Sequence, residues 1–252
     1  DPFTADSTVI LICDVYDIYK NELYAKCPRS IAKKTLKHME EQNIGDEAFF
    51  GTKNKFFIFD DVQIWTGINQ SGYRVDSEEG EWNDATSYDD IGNMGHRPRT
   101  KGGYCSTLHL SLPSPLRAEM MLLLEEVGLT VMLGHHEVAQ AQGEIGIKFG
   151  DMIEAADNVQ KYKYVCKMVA HLNGKSCTFM PKPLYGDNGN GMHVHQSIWK
   201  DGKNLFYKEK EISFIKSANA IGTRAVRTIF PELRITVFLN TLQNPGVENT
   251  SR

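Results

Sequence analysis

The amino-acid sequence predicts an α+β fold. Strand candidates rich in aromatic and β-branched residues are interspersed with amphipathic helices, without the regular strand–helix–strand order of a parallel doubly wound sheet. No internal repeat is visible at any period. The chain has 252 residues, of which 41% are hydrophobic and 24% charged. It is therefore long enough for one large or two ordinary domains, and its composition is not that of a disordered chain.

The first segments predict a strand, a helix and a second strand. Residues 7–16 form a β-rich apolar run, which is typical of a strand. Pro28 and Ser30 introduce a helix over residues 31–42, because apolar residues recur there at helical spacing. The aromatic stretch 48–59 predicts the second strand.

The middle of the chain predicts a loop followed by two helices. Residues 76–90 hold seven acidic residues among Gly, Ser, Asn and Thr, which favours a solvated loop over a cation site. A helix is predicted over residues 114–127, with Gly128 as its C-terminal stop. The next helix begins at Asp151, an N-cap with Glu154 three residues later. Its apolar residues alternate at spacings of three and four, so it is expected to dock on a sheet.

Charge and composition exclude several classes of protein. The chain carries 28 Lys and Arg against 32 Asp and Glu, a net charge of −4, so nothing favours nucleic acid as a partner. No apolar run is long enough to span a bilayer and no signal core is present, so we expect a cytoplasmic location and no membrane partner. The five cysteines are odd in number and lack a CxxC pair, which favours reduced thiols over disulfides or a zinc site.

The segment 133–147 is the first candidate site. Its two carboxylates, Glu137 and Glu144, are an odd number of residues apart and would face opposite sides of one continuous strand. The small residues Ala141 and Gly143 allow a tight reversal, and a hairpin would bring the two glutamates to neighbouring positions on one face. The alternative is an edge hairpin with solvated glutamates.

The second candidate site, residues 186–199, is a Gly/Asn-rich turn that runs into a strand. A period of two places His193, His195 and Ser197 on one face of that strand. Imidazole binds metal or phosphate readily, and a Gly-rich turn lets the backbone approach a ligand closely. The alternative is a strand with one wet, polar face; the glycines interleaved with Asp and Asn before the histidines favour a functional site.

Two long motifs resemble those of bacterial type I glutamine synthetase. The first is His-His-Glu-Val-Ala at 135–139, followed by Gln142 and Glu144. The second is T-F-M-P-K-P-L-Y-G-D-N-G-N-G-M-H-V-H at 178–195. The resemblance covers roughly residues 1–207 in the family's order. It implies an antiparallel β-sheet funnel of the family's catalytic-domain type with packed helices, incomplete in this chain.

The resemblance also implies an activity. The family phosphorylates the side-chain carboxylate of glutamate with ATP and lets ammonia displace the phosphate, so ATP, glutamate and ammonium are the implied partners and Mg²⁺ or Mn²⁺ the implied cofactor. Glu137 and Glu144 would hold one ion, and His193 the ion nearer the ATP phosphates. No residue is assigned to catalysis. The other matched positions are Asn188 and Gly189 for glutamate, and Phe149, His195 and Ser197 for ATP.

The aromatic strand departs from the family, which reads F-G-P-E-x-E-F-F there with both glutamates as metal ligands. Lys53 and Lys55 stand at these two positions. Strand alternation puts both on the face that meets the metals, and an ammonium group has no lone pair to offer a cation. We therefore expect the lysines to pair with Glu137 and Glu144 in place of metal. The alternative is a shifted register with outward lysines, which would turn the neighbouring apolar residues to the wrong side.

Both ends of the chain also depart from the family. Residues 1–20 match a remnant of its N-terminal domain and linker, residues 21–207 a portion of its catalytic domain, and residues 208–252 form a divergent tail. The family's active site lies between subunits of a dodecamer of two hexameric rings, and we do not expect that assembly here. The predicted function is that of the family. The alternative is an inactive, metal-poor homologue with a structural or regulatory role, or a truncated product.

Overall fold

A computed structural model describes residues 1–83, 97–106 and 114–207, together with the backbone of one strand at Ile235–Phe238. The helices are α1 (Pro28–Glu41), α2 (Ser114–Glu126) and α3 (Met152–Leu172). The strands are β1 (Tyr16–Asp17), β2 (Glu22–Leu23), β3 (Glu47–Phe59), β4 (Asp61–Thr66), β5 (Ser71–Asp76), β6 (Val131–His136), β7 (Gln142–Ile147), β8 (Gly150–Asp151), β9 (Ser176–Thr178), β10 (Met192–Lys200), β11 (Lys203–Asn204) and β12 (Ile235–Phe238). Antiparallel pairs between these strands, with helices elsewhere along the chain, confirm the α+β class.

The chain divides into two compact units. The first contains Asp1–Leu11, Lys53–Lys148 and Asn158–Met192. The second contains Ile12–Thr52, Phe149–Asp157 and His193–Arg252. Strand β3 and helix α3 each contribute residues to both units.

In the first unit, strand β7 lies between β3 and β6. The register sets Glu144 opposite Lys55 on one side and opposite His135 on the other. The end of β3 also pairs with β9, where Phe57 lies opposite Thr178. Because side chains alternate along each strand, this register decides which of them meet on the same face of the sheet.

The core of the first unit lies between one face of this sheet and helices α2 and α3. Phe56 is fully buried there, and its ring lies edge-on to Tyr162 of α3 with centroids 6.4 Å apart. The Tyr162 hydroxyl donates a 3.1 Å hydrogen bond to the carbonyl of Asn54. Other buried members of this core are Ile58, Leu116, Met120, Leu124, Ile145, Val165 and Val169. With Phe56 facing this core, Lys55 beside it is turned to the opposite face.

The helices predicted at 114–127 and from Asp151 are confirmed. The Asp151 carboxylate accepts hydrogen bonds of 2.8 Å from the backbone N–H groups of Ile153 and Glu154, as an N-cap does. Gly128, just past α2, has a φ of +89°, which glycine adopts without strain. In the described part of the chain, none of the helices has both the length and the apolar character that crossing a bilayer requires.

Helix α1 begins three residues earlier than predicted. Pro28 occupies its first turn, where the missing N–H forfeits no hydrogen bond, and Cys27 before it is extended. Ser30, which the sequence places before the helix, is buried inside it. The helix is anchored within the second unit by Arg29, whose guanidinium lies 3.2 Å from Asp14 and 3.1 Å from Asp157.

The sheet of the second unit is formed by the first residues of β3 with β8, β10, β11 and β12. Phe49 of β3 packs edge-on against Phe149 and Trp199, with ring centroids 5.7 and 6.3 Å away. The backbone N–H of Asp46 donates to the carbonyl of Trp199 at 2.9 Å. These contacts fix β10, the strand that carries the predicted histidines.

The strand predicted over residues 7–16 is wrong. Only Tyr16–Asp17 is a strand, paired with β2, and Val9 and Leu11 are 80% and 75% exposed. The run has β propensity, but apart from Tyr16 none of its residues pairs with another described strand. Propensity alone does not stabilise a strand without a hydrogen-bonded partner.

Candidate functional site

Glu137 and Glu144 meet at the end of the β6–β7 hairpin. The Glu137 N–H donates a 2.8 Å hydrogen bond to the carbonyl of Gln142, and Ala141 closes the turn with a φ of +62°. One oxygen from each carboxylate and a ring nitrogen of His135 all lie within 4.8 Å of one another. The predicted hairpin is confirmed. Because both glutamates are buried, the alternative of solvated carboxylates is wrong.

Lys55 extends between these two carboxylates. Its Nζ lies 3.0 Å from Oε1 of Glu137 and 3.7 Å from Oε2 of Glu144. The Lys55 side chain is only 16% exposed, so these ion pairs are largely withdrawn from solvent screening. For Lys55, the predicted pairing with both glutamates is confirmed.

For Lys53 that prediction is wrong. The residue lies on the same face of β3, but it forms an ion pair with neither Glu137 nor Glu144. The register explains the difference, because Lys53 lies opposite Gly146, which has no side chain, whereas Lys55 lies directly opposite Glu144. One of the two lysines therefore fills the space between the carboxylates.

His135 completes the cluster. Its Nδ1 lies 2.9 Å from the carbonyl oxygen of His136, and its Nε2 lies 3.3 Å from Oε1 of Glu144. The hydrogen bond with Glu144 raises the pKa of His135. Burial alone would raise the pKa of Glu144, but the hydrogen bond with His135 and the charge on Lys55 lower it. The sequence assigned His135 no role; the signal that could have found it is its position opposite Glu144 across the hairpin.

The raised pKa of His135 predicts a pH-dependent stability. A group whose pKa is higher in the folded than in the unfolded chain stabilises the fold below the unfolded value, about 6.5 for histidine, and this contribution is lost as the pH rises through the folded-state pKa. Free energies of unfolding from urea titrations at about pH 6 and about pH 9 should differ in that direction. His135→Gln should remove this difference, whereas the matched variant His38→Gln, on the exposed side of α1, should keep it. A pH dependence unchanged in His135→Gln would contradict the prediction.

The side chains of this cluster are of the type that binds divalent cations, but the space between them is already occupied by Lys55. Carboxylate oxygens suit Mg²⁺ and Mn²⁺, which bind them at about 2.0–2.2 Å. Here the ammonium of Lys55 already lies 3.0 Å from Glu137, and it has no lone pair to offer. An ion held by Glu137 and Glu144 together would lie beside that positive charge. With Lys55 in place, these residues do not fit a divalent cation at this position.

A second buried pair supports the turn of the hairpin. Glu79 and His136 are both fully buried, and Oε2 of Glu79 lies 2.8 Å from Nε2 of His136. The same oxygen accepts a 2.7 Å hydrogen bond from the N–H of Ala141, and Nδ1 of His136 lies 2.6 Å from the carbonyl oxygen of Glu137. Glu79 therefore holds both ends of the turn that carries Glu137.

This arrangement corrects one interpretation of the sequence. The acidic segment 76–90 was expected to be a solvated loop, which is wrong for Glu79. Residues 84–90 of that segment lie outside the described part of the chain. A single buried carboxylate among Gly, Ser and Asn leaves no periodic pattern, so only the contact with His136 reveals it.

The Gly/Asn-rich loop that contains Asn188 and Gly189 is fixed to the same hairpin. Nε2 of Gln142 donates to the carbonyl of Gly189 at 3.0 Å and to Oδ1 of Asn190 at 2.9 Å. The Asp187 carboxylate accepts hydrogen bonds from the N–H of Asn188 at 2.8 Å and from Gln140 of the hairpin turn at 3.2 Å. Within the first unit, the structure thus brings the predicted glutamate contacts close to the hairpin of the carboxylate pair.

The remaining predicted residues belong to the second unit. His193 and His195 lie half-buried on one side of β10, as the period of two predicts, and Ser197 is buried and accepts a 3.0 Å hydrogen bond from the Trp199 indole. A Cβ atom at Gly51 would lie 3.3 Å from Cβ of Phe149 and 3.9 Å from Cβ of His195. Phe149 and His195, both predicted to line ATP, therefore flank one glycine of β3.

Comparison with known proteins identifies what this chain is similar to. Residues 25–221 match the family model described as "Glutamine synthetase, catalytic domain". A glutamine synthetase of Helicobacter pylori is 58% identical over 209 residues, which covers 83% of this chain and 44% of that protein. One from Azospirillum brasilense is 50% identical over 206 residues, with 82% and 44% covered. The chain spans less than half the length of these curated relatives.

A solved structure gives the same result for the fold. The cryo-EM structure of Plasmodium falciparum glutamine synthetase matches with a TM-score of 0.70 and 31% sequence identity. The match covers 77% of this chain and 38% of that one. Each of these matches covers less than half of the longer relative.

Proposed function

This chain belongs to the glutamine synthetase family, and from that membership we propose that it ligates ammonia to glutamate with ATP. A side-chain carboxylate oxygen of glutamate attacks the γ-phosphorus of ATP, the bond to the β-phosphate breaks and ADP leaves. Ammonia then attacks the acyl carbon of the resulting γ-glutamyl phosphate, phosphate leaves, and the nitrogen loses a proton. The family's cofactor, Mg²⁺ or Mn²⁺, would offset the charge of the phosphates.

The observation that carries the proposal is the bond network of Gln142. This buried side chain joins the hairpin that holds Glu137 and Glu144 to the loop that holds Asn188 and Gly189, through hydrogen bonds of 2.9 and 3.0 Å. Ligation requires that the reacting carboxylate of glutamate is held close to the groups that stabilise its charge. The buried amide of Gln142 fixes the loop to the hairpin, and this would keep the groups on both elements close to each other.

The proposed roles on the glutamate side belong to Asn188 and Gly189. An amide side chain beside a glycine offers donors and an open backbone, both suited to the polar main-chain groups of an amino acid. A Cβ atom at Gly189 would collide with the carbonyl of Pro181, so this position requires glycine. The close approach of residue 189 to Pro181 in this loop therefore depends on a glycine.

The proposed roles on the nucleotide side belong to the second unit. Phe149 exposes an aromatic ring, a surface that suits an adenine base. His195 and Ser197 on β10 would lie along ATP, and His193 would hold the ion nearest its phosphates. These assignments come from the family resemblance, and the position of Phe149 beside Gly51 supports them.

Phosphate release tests the proposal. We expect the folded chain to release phosphate from ATP only when glutamate and ammonium are both present. Asn188→Ala should raise the KM for glutamate about tenfold and leave the KM for ATP unchanged. The matched variant Tyr185→Ala alters an exposed side chain of the same loop and should change neither. Absence of glutamate-dependent phosphate release from the folded chain would overturn the proposal and support an inactive homologue.

A further inference from the structure

The cation beside Glu137 and Glu144 is part of the chain itself. The ammonium of Lys55 lies 3.0 Å from one carboxylate and 3.7 Å from the other, on a side chain that is mostly buried. Its three N–H donors can serve both carboxylates at once. A strand position directly opposite Glu144 holds the lysine in this place.

We propose that Lys55 replaces a divalent ion at this position, as a tethered monocation that holds the hairpin carboxylates together. The inference deepens the proposed function, because it names the group that would supply positive charge beside the glutamate loop. The negative charges of Glu137 and Glu144 are already partnered, by Lys55 and, for Glu144, also by His135. A divalent ion could bind there only after the Lys55 ammonium had left. The carboxylates would then lose their contacts with Lys55 as they gained the ion.

The neighbouring lysine makes the inference specific. Lys53 carries the same charge on the same face of β3, but it forms no ion pair with Glu137 or Glu144. Both lysines therefore place a positive charge near the hairpin. Of the two lysines, only Lys55 lies between the carboxylates of Glu137 and Glu144.

Titration with Mn²⁺ alone, followed by calorimetry and by the Mn²⁺ electron paramagnetic resonance signal, tests the proposal in the whole chain. Lys55→Met keeps the length of the side chain without its charge, and it should tighten Mn²⁺ binding at least about tenfold relative to wild type. Lys53→Met and the charge-conserving Lys55→Arg should bind as wild type does. Adding Glu144→Gln to Lys55→Met should remove the gain, which assigns it to the hairpin.

Two results would overturn the proposal. One is a folded Lys55→Met variant with no gain in Mn²⁺ affinity. The other is Mn²⁺ binding by the wild-type chain that Glu144→Gln abolishes, because the ion would then bind beside Lys55. This second comparison decides the question even if Lys55→Met does not fold. Neither measurement requires turnover. Failure of the phosphate-release assay would overturn the ligase and leave the tethered cation standing.

Discussion

Replacing Glu79 with alanine is expected to lower the free energy of unfolding by about 3–5 kcal/mol, because two buried groups would each lose their hydrogen-bond acceptor. Glu79 has no exposed surface, and one oxygen serves both the His136 ring at 2.8 Å and the N–H of Ala141 at 2.7 Å. Alanine would leave both groups buried without their acceptor. Urea denaturation followed by circular dichroism measures the loss.

One further variant separates the charge of Glu79 from its shape, and a second serves as a control. Glu79→Gln keeps an oxygen for Ala141 but loses the charge opposite His136, so we expect a smaller loss of about 1–3 kcal/mol. The control is Glu41→Ala on α1, whose ion pair with Lys37 at 3.6 Å is exposed and should contribute less than about 0.5 kcal/mol. A Glu79→Ala loss no larger than that of the control would show that the buried pair does not support the turn.

The hairpin of the carboxylates could be predicted because its constraint is local. Two glutamates at an odd spacing, with small residues between them, meet on one face only if the chain reverses. The same kind of local rule gave the start of α3, since Asp151 and Glu154 satisfy its first N–H groups within one turn. Features that depend on neighbours along the chain leave a pattern in the sequence.

The unpredicted features depend on partners far along the chain. Alternation placed both lysines on the face of the glutamates, but only the β3–β7 register decides that Lys55 reaches them and Lys53 does not. The pairing of Glu79 with His136 joins residues whose relation has no periodicity. The apolar run at residues 7–16 failed as a strand for the same reason, because its propensity says nothing about a partner.

Lys55→Ala is expected to lower the free energy of unfolding by about 3–5 kcal/mol when measured in the presence of a chelator. The substitution would leave two buried carboxylates facing each other without the ammonium that lies 3.0 Å from Glu137. Lys53→Ala removes the same charge from the same face and should cost less than about 1 kcal/mol, because it breaks no ion pair with either glutamate.

A double-mutant cycle with Glu137→Gln separates the pair from the burial of each partner. If Lys55 and Glu137 interact as their 3.0 Å separation indicates, the loss in Lys55→Ala/Glu137→Gln should fall short of the sum of the single losses by about 1–3 kcal/mol. The parallel cycle with Lys53→Ala should close to within about 0.5 kcal/mol. Equal coupling for the two lysines would mean that long-range charge, rather than occupation of the space between the carboxylates, governs this site, and the assignment of that space to Lys55 would then be wrong.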